Sequence, residues 1–78
     1  MKYYFAESLD ASWRSLWQTN EDETLIYAVA EINMIEGTSR LYTDNFSWQV
    51  LPKGSSGSGY HLSLFTEISR EEALIYLL

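Results

Sequence analysis

The longest nearly uncharged apolar run in the chain is Leu25-Ile26-Tyr27-Ala28-Val29-Ala30-Glu31-Ile32-Asn33-Met34-Ile35, with Glu31 as the one carboxylate inside it. Read with a period of two, Ile26, Ala28, Ala30, Ile32 and Met34 fall on one side, and Leu25, Tyr27, Val29 and Ile35 on the other with Glu31 and Asn33. Both sides are largely apolar, the pattern of an interior strand covered on two faces. Read with the helical period, Leu25, Ala28, Val29, Ile32 and Ile35 form one stripe. Asn20 or Asp22 would cap such a helix and Gly37 would end it. Periodicity satisfies both readings, so composition has to separate them. The β-branched Ile26, Val29, Ile32 and Ile35 and the aromatic Tyr27 favour a strand. The flanks, Asn20-Glu21-Asp22 and Glu36-Gly37-Thr38-Ser39, have the composition of chain reversals. Residues 24–35 are therefore expected to form the central strand, with a helix over 22–35 as the alternative.

The remaining chain is read around that strand. Residues 2–7 are aromatic-rich and extended, with Tyr3 and Phe5 on one face and Tyr4 and Ala6 on the other. Residues 12–19 alternate as Trp13, Ser15, Trp17 and Thr19 against Arg14, Leu16 and Gln18, which predicts a second strand. A helix over 8–20, capped by Ser8 or Asp10 and stacking Leu9, Trp13, Leu16 and Trp17, is its alternative. Within residues 38–52, Tyr42, Phe46, Trp48 and Val50 share a face, broken by Asp44, and the opposite face is mostly polar. Asp44-Asn45 is the expected place for a bulge, and Pro52 closes the element. Residues 60–68 read as the last strand, with Leu62, Leu64, Thr66 and Ile68 inward and His61, Ser63, Phe65 and Glu67 outward. Ser69-Arg70-Glu71-Glu72 has the spacing of a capping box. It opens a two-turn helix over 73–78, too short to stand unless Leu74, Leu77 and Leu78 dock on the sheet or on another molecule. The expected fold class is α+β: a small antiparallel sheet of about five strands in meander-like order, a short C-terminal helix on one face, and a single domain over 1–78.

Composition narrows the means of stabilisation. A chain of 78 residues buries only about 60% of the surface its unfolded form exposes. With no cysteine it draws nothing from disulfides, which accords with a reducing compartment. Three Trp, six Tyr and three Phe supply the bulk of what can be packed. Eleven acidic residues against five basic ones give a formal charge of −6. Such a chain is repelled by nucleic acid and by anionic lipid and is suited to a basic surface. No apolar run reaches membrane-spanning length. Residues 1–7 carry one lysine and then an acid before any long apolar stretch, unlike a secretory signal, so a cytoplasmic location is expected.

The search for chemistry returns little. His61 is the only histidine, and the serines that would pair with it as nucleophiles cluster in residues 53–59. That Gly/Ser stretch contains Gly54, Gly57 and Gly59 and reads as a flexible loop. It lacks the Lys-Ser/Thr ending of a phosphate-binding loop. A lone histidine without cysteine gives no zinc set. Glu21-Asp22-Glu23 lacks the spacing of a calcium loop and reads as a solvated turn. Carboxylate pairs drawn from Glu7, Asp10, Glu31 and Glu67 exist in any acidic chain and carry no signal for glycoside chemistry. Trp13 and Trp17 stand one strand repeat apart, but a base-stacking groove also needs clustered basic residues. Lys2, Arg14, Arg40, Lys53 and Arg70 are scattered. No catalytic residue, metal or cofactor is expected.

These features point to adhesion rather than turnover. The expected role is a small acidic protein-binding module, an inhibitor or adaptor acting by stoichiometric binding to a basic protein surface. It would bind no nucleic acid directly and no membrane. In size and charge, though in no motif, the chain is of the type of phage anti-defence proteins, anti-CRISPR proteins included, and of nucleic-acid mimics. The partner-binding candidates are Trp13 and Trp17 as anchors, with Asp10, Glu21, Asp22, Glu23, Glu36, Asp44, Glu71 and Glu72 as the charge. The alternatives are a toxin-immunity protein and a self-associating accessory domain, a homodimer through the C-terminal helix.

Overall fold

At both ambiguous stretches the strand prevails, and the residues that would have capped helices hold turns instead. The structure, a computed structural model, describes residues 1–43 and 46–77, the last without its side chain. Strands β1 (Tyr3–Glu7), β2 (Trp13–Thr19) and β3 (Leu25–Asn33) form an antiparallel meander. Between β1 and β2 the Asp10 carboxylate accepts from the hydroxyls of Ser8 at 2.8 Å and Ser12 at 2.7 Å, and from the Ser12 amide at 3.1 Å. Between β2 and β3 the Asn20 side-chain oxygen accepts from the amides of Thr24 at 2.9 Å and Leu25 at 3.0 Å. Asp22 accepts from the Thr24 hydroxyl at 2.7 Å. Short polar side chains that satisfy backbone donors in this way favour reversals over continued helix.

The single strand expected over 38–52 is divided. β4 (Thr38–Leu41) pairs with the far half of β3, and β5 (Ser47–Gln49) with its near half. The pairs Ala30–Leu41 and Tyr27–Ser47 are three steps apart along β3 and six along the other chain, so the two segments differ in register. The bulge expected at Asp44-Asn45 lies outside the described residues.

The strand expected over 60–68 shrinks to β6 (Thr66–Ile68), antiparallel to β1, preceded by a 3₁₀ turn at Leu62–Leu64. The rings of Tyr60 and Phe65 explain the correction. They meet at 5.9 Å between centroids, whereas five residues of straight strand would send them to opposite faces. The sheet order is β4-β3-β2-β1-β6, with β5 beside β4 on β3. The fold is thus a small α+β arrangement of an antiparallel sheet and one C-terminal helix.

A bulge decides what each face carries. Leu16 pairs with Ala30 but Trp17 with Ala28, leaving Val29 as an extra residue in β3. The parity of β3 reverses there. Ile26 and Ala28 therefore point to the face opposite Ala30 and Ile32, not to the same face as plain alternation predicts.

Helix α1 (Arg70–Leu77) covers the Ala30 side. Its buried Ala73 joins Leu16, Ala30 and Ile68, with Tyr3, Phe5, Val29 and Tyr76 packed around them. The Ser69 hydroxyl accepts from the Glu72 amide at 3.1 Å, one arm of the capping box. Arg14 ties the helix to the sheet. It pairs with Glu7, donates to the Tyr76 hydroxyl at 2.7 Å, and lies 5.1 Å from the Phe5 ring centroid. Of the two expected dockings of Leu74, the one on the sheet does not occur, since Leu74 is 51% exposed beside Ile75 at 68%; the side chains of Leu77 and Leu78 lie outside the described residues. The small Ala73 lets the helix approach the sheet, and the three-residue spacing to Tyr76 defines the docked stripe. Among the described residues no helix is long and apolar enough to cross a membrane.

Candidate functional site: an open aromatic face

The face away from the helix is covered along only half its length. Over the half that carries Ile26, five rings interlock. Trp17 meets Phe65 at 5.2 Å and Tyr60 at 5.7 Å, Trp48 meets Tyr60 at 5.4 Å, and Tyr4 meets Phe65 at 6.4 Å. The backbone anchors this cover, since the Tyr60 amide donates to the Gln49 carbonyl and the Leu51 amide to the Tyr60 carbonyl, each at 2.9 Å. Gly59 makes the approach feasible. Its φ is +152°, and a Cβ there would run into the Gln49 carbonyl.

Beyond this lid the sheet lies bare. Trp13 is 43% exposed, Trp48 45% and Phe46 73%. Trp17, Ala28, Tyr42, Phe46 and Trp48 line a cleft of about 290 Å³. A second cleft of about 300 Å³ lies on the other side of Tyr42, with Trp13, Ser15 and Glu31 among its walls. Ser15 accepts from the Trp17 indole N–H at 3.0 Å, so the polar edge of that ring is satisfied.

The charge on this face is locally balanced. One Glu31 oxygen accepts from Arg40 at 2.9 Å and from the Tyr42 hydroxyl at 3.0 Å. The Arg40 guanidinium lies 5.9 Å from the Tyr42 ring centroid. Burial, followed by the hydrogen bond and the charge of Glu31, pushes the Tyr42 hydroxyl above its ordinary pKa. Lys2 is likewise engaged, at 3.5 Å from Glu23 and 3.9 Å from Glu67.

The residues singled out from the sequence divide into three groups. Trp13 and Trp17 both belong to the open face, Trp17 as floor and Trp13 as exposed ring. The acids do not form one patch. Asp10 and Glu36 lie in the turns at one end of the sheet, while Glu21, Asp22 and Glu23 lie in the turn at the other end, where α1 also begins with Glu71 and Glu72. Glu36 shares a cleft with Trp13, and Glu23 accepts from the Tyr4 hydroxyl at 3.4 Å. Asp44 lies outside the described residues. Glu31, Arg40, Tyr42, Phe46 and Trp48 complete the face and were not among the candidates. The common side of Tyr42, Phe46 and Trp48 was visible as alternation; that their side stays open depends on where the 50–65 segment stops.

What the arrangement offers chemically is ring surface, three shallow clefts and one neutralised carboxylate. Among the described residues no three His, Cys, Asp or Glu side chains stand close enough to hold a metal ion. Comparison with known proteins finds no matching family model, no matching curated protein and no matching solved structure.

Proposed function

We propose that the chain is a protein-binding module, an inhibitor or adaptor that acts by stoichiometric contact through the open aromatic face rather than by catalysis. The observation that carries this reading is the exposure of Trp13, Phe46 and Trp48 beside Tyr42 on one face of the molecule. Exposed apolar patches framed by polar groups are the usual mark of partner sites, and Trp and Tyr are their usual anchors. The formal charge of −6 adds long-range attraction to a basic partner. A nucleic-acid-binding surface, as in the targets of phage anti-defence inhibitors, is the partner class that this charge fits.

Affinity capture from the native host tests the reading. Wild-type protein retains a specific partner, and Trp48→Ala and Trp13→Ala lose it while keeping the wild-type circular dichroism spectrum. Raising salt from about 0.05 M to about 0.5 M weakens the capture, because the electrostatic share is screened. Retention of the same partner by both variants overturns the proposal.

Leu74 and Ile75 on the outer side of α1 favour a second reading, a homodimer through that helix. Sedimentation over a range of concentrations separates the two. A monomer at all concentrations removes the second reading and leaves the first intact.

A further inference from the structure

We infer that the cleft between Tyr42 and Trp48 seats a single cationic side chain, a lysine or an arginine presented by the protein partner. The inference rests on the protein-binding reading above and supplies the chemistry of its anchor. Four of the five lining residues are aromatic, Trp17, Tyr42, Phe46 and Trp48, and the fifth, Ala28, gives a low floor. At about 290 Å³ the cleft lies at the small end of ligand sites, sized for a side chain rather than for a folded element. The ring faces carry partial negative charge and attract a desolvated cation, while the methylene stem of Lys or Arg packs on apolar floor and walls.

Three features favour a cation over a neutral apolar anchor. The chain as a whole is strongly acidic, which concentrates cations at its surface. The Tyr42 hydroxyl donates to the Glu31 carboxylate at 3.0 Å, so the ring that forms one wall is polarised by a carboxylate behind it, in the neighbouring cleft. The chain also rests its own cations on rings. Arg40 lies 5.9 Å from the Tyr42 centroid, and Arg14 lies 5.1 Å from that of Phe5 and 5.9 Å from that of Tyr76. Arg40 is thus an internal competitor. It occupies part of the Tyr42 ring and neutralises Glu31, so its removal opens both to an incoming cation.

The test needs no identified partner. Short blocked peptides carrying one arginine or one lysine are titrated into the full chain, and the Trp48 indole N–H resonance is followed. Matched peptides carry citrulline, the neutral isostere of arginine, or norleucine for lysine. The cationic peptides move the Trp48 resonance saturably, and the neutral ones bind about fivefold or more weakly. Phe46→Leu, at a highly exposed position, keeps apolar bulk without a ring face and weakens the cationic peptides alone. Arg40→Gln strengthens them. Equal binding of cationic and neutral peptides, or no movement of Trp48 with either, overturns the inference. The two proposals fail separately. Equal binding of both peptide types alongside capture that still needs Trp48 removes only the cation seat. Selective cation binding with capture that survives both Trp48→Ala and Trp13→Ala removes the protein-binding reading and, with it, the partner as the source of the cation, while the cation-binding chemistry of the cleft stands.

Discussion

Trp17 faces Ala28 across the β2–β3 ladder, where uninterrupted pairing from Leu16 and Ala30 would bring it opposite Val29. That one-residue offset sends Ala28 to the floor of the aromatic cleft and Ala30 beneath the helix. Two alanines of one strand, two positions apart, therefore answer differently to enlargement. Ala30→Leu forces extra volume against Leu16 and Ala73 and costs about 1–3 kcal/mol. Ala28→Leu fills open cleft and changes stability by less than about 1 kcal/mol. Urea unfolding of both variants checks the assignment, and equal costs would contradict it.

Gly59 is the second position where the fold leaves no latitude. Both its φ of +152° and the Gln49 carbonyl stand against a side chain, whereas Gly37, at +73°, has open space around it. Gly37→Ala carries only the left-handed backbone penalty, about 1 kcal/mol. Gly59→Ala adds the clash with the carbonyl, for a total of about 1–3 kcal/mol, and loosens the lid that covers Trp17. Thermal unfolding and the near-ultraviolet circular dichroism of the tryptophans report the two effects.

The cap of α1 is testable in the same way. Ser69→Ala removes the acceptor of the Glu72 amide and costs about 1 kcal/mol. An eight-residue helix has little length to absorb that loss, so amide exchange quickens first at Glu71, Glu72 and Ala73. Glu72→Gln leaves this bond in place and has a smaller effect on exchange.

Acid sensitivity of the β1–β2 turn follows from Asp10. The Ser12 hydroxyl, the Ser12 amide and the Ser8 hydroxyl hold its carboxyl well below the ordinary 3.8, to about 2. The folded value lies below the unfolded one, so the stabilisation is fully present above pH about 4 and is lost as pH falls through about 2. Carboxyl chemical shifts followed from pH about 6 to about 1.5 give the titration. Ser12→Ala raises the midpoint toward the ordinary value, and an Asp10 that titrates near 4 in the wild type contradicts the turn geometry.

Much of this architecture was legible in the residues. Composition in 2–7, 12–19 and 24–35 favoured strands, because β-branched and aromatic side chains suit a pleated surface, although the spacing in 8–20 and 22–35 also fits a helix. Asp10, Asn20 and Asp22 marked the reversals because short polar side chains satisfy turn amides. Ser69 marked the start of the helix for the same reason. The common face of Tyr42, Phe46 and Trp48 could also be read from spacing, and it became half of the candidate site. The division of 38–52 into two segments was not legible, nor was the folding back of 60–65. Both depend on partners distant in the chain, β3 in one case and Trp17 in the other.

The sequence by itself determined the kinds of element, their order, the acidic charge and the scarcity of reactive groups. These are local properties, fixed by each residue's backbone preference and ionisation. Tertiary structure alone decided which face each side chain serves. The Val29 bulge reversed the parity of the central strand, and the Gly59 contact set how far the aromatic lid extends. A period-two pattern carries no information about where an extra residue is inserted, so the open half of the face emerges only when the strands are paired.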